Sequence, residues 1–143
     1  MRTYYIFKIN DSFTTLYNNK SNSIYKMLND IRLSNKKDSV KISKFYNKLT
    51  KPLDKKKIND LIIRNHINDF YYKKIGIYHE LSNNIEGSIL TVNNTFIKIV
   101  TNTNISTFFK DLYLLNENLF LVDFDNKDYF YITDLKKKIT CAY

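Results

Sequence analysis

The sequence has little of what several protein classes depend on. It has one cysteine, Cys141, so no disulfide can form within the chain. That excludes a small scaffold stapled by disulfides and a four-cysteine zinc site. Two glycines and one proline exclude collagen-like and Gly/Pro-rich chains. Gly76 and Gly87 stand too far apart to make a phosphate-cradling loop. No apolar run approaches the roughly 18 residues of a membrane-spanning helix. The opening Met1–Lys8 stretch is too short for a signal-peptide core and no small-residue cleavage site follows, so a cytoplasmic protein is expected. Histidine is limited to His66 and His79, with no HExxH spacing. Glutamine and tryptophan are absent, and arginine numbers 3 against 20 lysines.

What remains describes a globular chain. Its 143 residues suit one domain, expected to span 1–143. Apolar residues make up 43%, and 12 Tyr with 10 Phe are incompatible with a disordered tail. The net charge of +9 raises nucleic acid as a partner. Lys, Asn, Ile, Tyr and Phe are also the residues of A/T-rich codons, so compositional drift explains the charge as well. Arginine, the bidentate reader of guanine and phosphate, is scarce. Direct nucleic-acid binding is therefore not expected, and a lysine-rich nucleic-acid-binding module stands as the alternative. The runs Lys55–Lys57 and Lys136–Lys138 are expected on solvated surfaces.

Residues 3–10 are aromatic and β-branched and read as a first strand. Asp11-Ser12 offers a helix N-cap. The short helix that follows sets Phe13 and Tyr17 on one face, at i, i+4. Ile24, Met27, Leu28 and Ile31 mark a second helix, and Ile42, Phe45, Tyr46 and Leu49 a third, from about Ser39 to Thr50. Pro52 breaks the chain, and a fourth helix starts near Asp54 with Ile58, Leu61 and Ile62 inward. Residues 74–80 read as one strand. Ser88–Val92 and Thr95–Val100 read as a hairpin about Asn93-Asn94, pairing Val92 with Thr95. Asn104 or Ser106 caps a helix bearing Phe108, Phe109 and Leu112, and 119–124 with 129–132 form a last hairpin. The order β-α-α-α-α-(β)-β-β-α-β-β predicts an α+β fold with a mainly antiparallel sheet and helices packed on it.

The catalytic inventory is thin. Cys141 lies near the chain end, where a Cys–His pair lacks held geometry. His79 sits in an apolar stretch and reads as a satisfied structural histidine. Asp123, Asp125 and Asp128 follow an apolar run, as carboxylates for a divalent cation would. The spacing lacks the Gly and Glu of an EF-hand loop, and Lys127 replaces the Thr of a phosphoryl-transfer motif. A hairpin turn is the expected reading, and a small metal-dependent hydrolase the remote one. Tyr129-Phe130-Tyr131 alternates across a strand, so it cannot present all its rings as a base-stacking platform. No catalytic residue, metal or cofactor is expected. Phe13 and Tyr17, on an otherwise polar helix, fit either packing on the sheet or an exposed aromatic anchor.

The opening Tyr4-Tyr5-Ile6-Phe7-Lys8-Ile9, then Phe13 and Tyr17, resembles the sporulation inhibitor of replication (SirA) family of spore-forming Gram-positive bacteria. The order of elements across 86–132 and the closing Phe120–Tyr129 resemble it too. The likeness spans most of the chain and is weakest between about 33 and 80. It implies a non-enzymatic inhibitor of replication initiation that binds the N-terminal domain of the initiator DnaA, a monomer before complex formation. The family's aromatic contact pair on the first helix matches Phe13 and Tyr17. Its later glutamine contact has no match, because this stretch reads Lys44-Phe45-Tyr46-Asn47.

Overall fold

The computed structural model describes residues 1–34 and 39–142; the side chains of Cys141 and Ala142, and the expectation placed on that cysteine, lie outside the description. The chain runs β1 (Arg2–Ile9), α1 (Asp11–Leu16), α2 (Ser21–Leu33), α3 (Ser39–Leu49), β2 (Thr50–Lys51) and α4 (Lys55–His66). Strands β3 (Tyr72–Ile75), β4 (Tyr78–Ser82), β5 (Gly87–Val92) and β6 (Ile97–Thr101) follow. Helix α5 (Phe108–Tyr113), strands β7 (Leu119–Asp123) and β8 (Asp128–Tyr131), a tight turn at Ile132–Asp134 and α6 (Leu135–Ala142) complete it.

The fold is α+β, as the sequence predicts. One antiparallel sheet has the order β3-β4-β5-β6-β1-β7-β8, and β2 pairs with the end of β1. The alternation of β1 divides the core, because successive side chains point to opposite faces. Tyr4 and Ile6 join Ile58, Ile62, Phe108, Phe109 and Leu112 under α4 and α5, with α6 alongside. Phe7 and Ile9 join Ile24, Leu28 and Leu49 under α2 and α3. Buried Ile24 and Leu28 are the i, i+4 stripe expected of α2, and Asp54 accepts from Lys57 N–H (3.1 Å) at the start of α4 as a local cap should.

Several elements differ from expectation. Residues 74–80 are not one strand but parts of the hairpin β3–β4, which turns at Gly76 with φ of 58°. Glycine takes that conformation without the steric cost that a Cβ brings. The β5–β6 hairpin pairs Val92 with Ile97, not Thr95, across a longer turn closed by Asn93 N–H to Phe96 C=O (2.9 Å). This slip of two keeps every side chain on its face and lets Ser88 Oγ donate to Thr101 Oγ1 at 2.7 Å. Helix α1 is capped by Asn10, not Asp11-Ser12: Asn10 N–H is held by Leu49 C=O (2.8 Å), and its side chain accepts from Ser12 N–H (3.3 Å). The C-terminal helix α6 is an addition to the expected order. Within it Lys138 is not merely solvated; its ammonium pairs with Asp128.

Candidate partner-binding surface

Helix α1 carries no buried residue, yet it is firmly placed. The Asn10–Leu49 backbone bond joins its start to the end of α3. Asn118 Nδ2–H donates to Asp11 (3.2 Å) and to Thr14 (3.3 Å), tying it to the entry of β7. From this short platform Phe13 and Tyr17 project as a stacked pair, with ring centroids 6.2 Å apart and planes 12° from parallel. Both are half-buried: their inner edges pack on the second core cluster, and Phe13 meets the Phe45 ring of α3 edge-on at 6.4 Å.

The rings are thus packed on one side and open to solvent on the other, an arrangement compatible with both sequence readings of this pair, core packing and exposed anchor. Two further apolar neighbours were missed. Leu16, between the two rings in sequence, is 70% exposed. Phe45 extends the patch onto α3, where its i−4 and i+3 neighbours are Lys41 and Lys48. Only a tertiary contact joins Phe45 to Phe13, so no local sequence signal could have found it. The exposed Lys51–Asp11 pair at 3.4 Å lies at the root of α1.

The other candidate groups are occupied structurally. Arg2 bridges two carboxylates of the β7–β8 hairpin, with Nε 2.9 Å from Asp123 and Nη2 2.8 Å from Asp128. Burial alone would raise both carboxyls. Hydrogen bonds from Asn126 and Arg2 hold Asp123 below the usual range, and those from Lys138 and Arg2 do the same for Asp128. Asp125 is exposed on the turn, so the three carboxylates do not converge. Tyr129 stacks on Tyr25 (4.7 Å), Phe130 is buried against Tyr4 and Phe109, and Tyr131 meets Phe120 edge-on (4.8 Å). These rings are core pieces, not a stacking platform.

The histidines are buried and satisfied. His66 donates through Nδ1 to Asp69 (2.9 Å) and through Nε2 to Asp111 (2.6 Å). Two carboxylate acceptors require both ring nitrogens to carry protons. Burial opposes that charge, but the bonds to Asp111 and Asp69 outweigh it and raise the His66 pKa. His79 is the opposite case. Its Nε2–H donates to Asn59 Oδ1 (2.7 Å), which leaves Nδ1 to accept from the Tyr72 hydroxyl (2.7 Å). Burial first, then Lys74 and His66, push its pKa down to about 4.

A family model described as Sporulation inhibitor of replication protein SirA matches residues 2–136. The chain belongs to the SirA family. The match takes in both helical layers and the sheet, including β3 and β4, where the sequence likeness is weakest. It places the chain among inhibitors of replication linked to sporulation, a regulatory role that implies a protein partner. None of the curated proteins matches the chain in sequence. Among the described residues no helix is long and apolar enough to cross a membrane.

Proposed function

We propose that this SirA-family chain acts in the cytoplasm, as a single domain over 1–143, to restrain replication initiation by occupying the N-terminal domain of DnaA. Phe13 and Tyr17 are the anchors of that contact. One observation carries the reading: two stacked, half-buried rings stand on a polar helix that is itself rigidly tied to α3 and β7. Aromatic side chains held in one rotamer lose little entropy on binding and dominate interface energies. Leu16 and Phe45 extend the apolar centre, and the lysines of α3 form a cationic rim that speeds encounter with an acidic partner. No group on this surface needs to react, because occlusion alone inhibits.

Calorimetric titration against the isolated DnaA N-terminal domain tests the reading. A one-to-one complex is expected. Phe13→Ala and Tyr17→Ala should each cost about 2 kcal/mol of binding or more, roughly 30-fold in Kd. Unfolding of each variant is measured in parallel. Unchanged affinity in a folded Phe13→Ala protein would remove the patch from the interface.

A further inference from the structure

Helices α2 and α3 leave part of their sheet face uncovered. Between them and strands β1 and β6 lies a cavity of about 420 Å³, within the usual size of small-molecule sites. Its floor is a row of rings across neighbouring segments of the sheet. Phe96 lies 5.8 Å from Tyr5, and Tyr5 lies 5.9 Å from Phe124. Leu28 and Ile31 of α2 form one wall and Tyr46 of α3 another. The Tyr46 hydroxyl is turned away to donate to Thr95 Oγ1 (3.0 Å), so the ring presents an apolar side.

Two cations complete the lining. The Arg32 guanidinium sits 4.8 Å over the Phe124 ring, and the Lys98 ammonium 6.0 Å from the Tyr5 centroid. Among the described residues, no ion pair engages either one. Asp125, beside Phe124 in the lining, is exposed and pairs with neither. Positive charge is thus parked on ring faces, at the edge of a partly dehydrated aromatic floor. Arg32 Nη2 donates to Asn29 Oδ1 (3.1 Å), and its remaining donors and the Lys98 ammonium gain most from an anion.

We propose that this cavity binds a small planar anion, an aromatic or heteroaromatic ring bearing a carboxylate or phosphate. Tyr5 is tilted 55° from Phe96 and 48° from Phe124, and Arg32 covers Phe124. The ligand ring therefore packs against Phe96, which carries neither cation, with the Tyr5 ring tilted beside it. The anionic group meets Arg32 and Lys98. An uncharged ring forfeits the two cations, and a compact anion without a ring forfeits the floor. The site is separate from the Phe13–Tyr17 patch and stands whether or not that patch binds a partner.

Methyl NMR of the full chain tests the site, with Leu28 and Ile31 as reporters and naphthoate, naphthamide and adenosine monophosphate as probes. Naphthoate should shift both methyls in a saturable, one-site manner. Naphthamide, with the same ring and no charge, should bind about tenfold more weakly or worse, the scale of two partly exposed charge contacts. In the double variant Arg32→Gln/Lys98→Gln, naphthoate should fall to the affinity of naphthamide. These side chains are not buried, so the fold should survive. Phe96→Ala should weaken both naphthalene probes. Tighter adenosine monophosphate than naphthoate assigns a phosphate ligand, and the reverse order a carboxylate. Absence of a saturable shift in the folded chain overturns the site. So does equal binding of naphthoate and naphthamide that ignores the double variant.

Discussion

The two faces of the sheet use aromatic side chains differently. Under α4 and α5, the Tyr4, Phe108 and Phe109 rings are fully buried, and Phe109 packs edge-on against Tyr4 (5.0 Å) and Phe130 (6.0 Å). Buried polar groups there are matched to partners. Glu86 accepts from Ser106, from the Thr107 hydroxyl and from Thr107 N–H, and so caps α5 from a distant loop. Under α1, α2 and α3, by contrast, Phe120 is fully buried, but Tyr5, Phe13, Tyr17, Tyr46 and Phe96 are only half-buried. The Tyr131 hydroxyl is buried there without a hydrogen-bond partner among the described residues. Filling one face completely supplies a rigid base. Leaving the other incompletely covered keeps several rings open to solvent.

The sharpest way to break this contrast is Phe109→Ala. Emptying a fully buried ring site should cost about 3–5 kcal/mol by denaturant unfolding, enough to threaten folding of a domain this size. Phe13→Ala removes a ring of the same size from the half-covered face. It should cost stability only about 1 kcal/mol, because much of that ring stays in water in the folded state. If the two losses were equal, the Phe13 patch would be core, and the division between faces would fail.

A second difference is written in pH, and it lies wholly on the filled face. His79 has an ordinary pKa of about 6.5 when unfolded and about 4 when folded. Its depressed value means that the folded state favours the neutral ring. That contribution is complete above about 6.5 and is lost as pH falls toward 4. His66 has the opposite sign: its raised pKa stabilises the fold at low pH and loses that contribution as pH climbs through the folded value. Urea midpoints measured between pH 7 and 4 should therefore decline, with the His79 contribution partly offset by His66. In His79→Gln the decline over that window should be shallower. An unchanged slope would show that His79 is not the group being protonated.

Some of this was legible locally and some was not. Helices α2 and α4 have regular apolar spacing, and the Asp54 cap lies within three residues of the N–H that it satisfies. The β7–β8 hairpin is flanked by apolar strands and closed by turn-forming residues. The β3–β4 hairpin was obscured because Lys73 and Lys74 on an edge strand interrupt any apolar alternation; edge strands carry such charge to resist pairing with other chains. The cap on α5 comes from Glu86, 21 residues before Thr107, so the local candidates Asn104 and Ser106 told only part of it. Ser106 does accept from Phe108 N–H (3.2 Å). Within the candidate surface, the Phe13–Tyr17 spacing was visible because both sit on one helix. Phe45, and the aromatic floor made by Phe96, Tyr5 and Phe124, come together only when strands and helices distant in sequence meet.

The smallest expected effect concerns what holds α1 in place. Lys51 Nζ and Asp11 are 3.4 Å apart, but their side chains are 40% and 75% exposed. Water and salt screen such a pair, and fixing two mobile side chains consumes much of its Coulomb gain. The backbone bond from Asn10 to Leu49 and the Asn118 bonds already set the helix against α3 and β7. Lys51→Ala should therefore change unfolding free energy by about 0.5 kcal/mol or less, and that small change should shrink further in 1 M salt. It should also leave the Phe13–Tyr17 stack unaltered in aromatic NOE contacts. A loss well above 1 kcal/mol would mean that a surface ion pair, not the backbone junction, positions α1. The Phe13–Tyr17 patch would then be electrostatically hung on the scaffold rather than built into it.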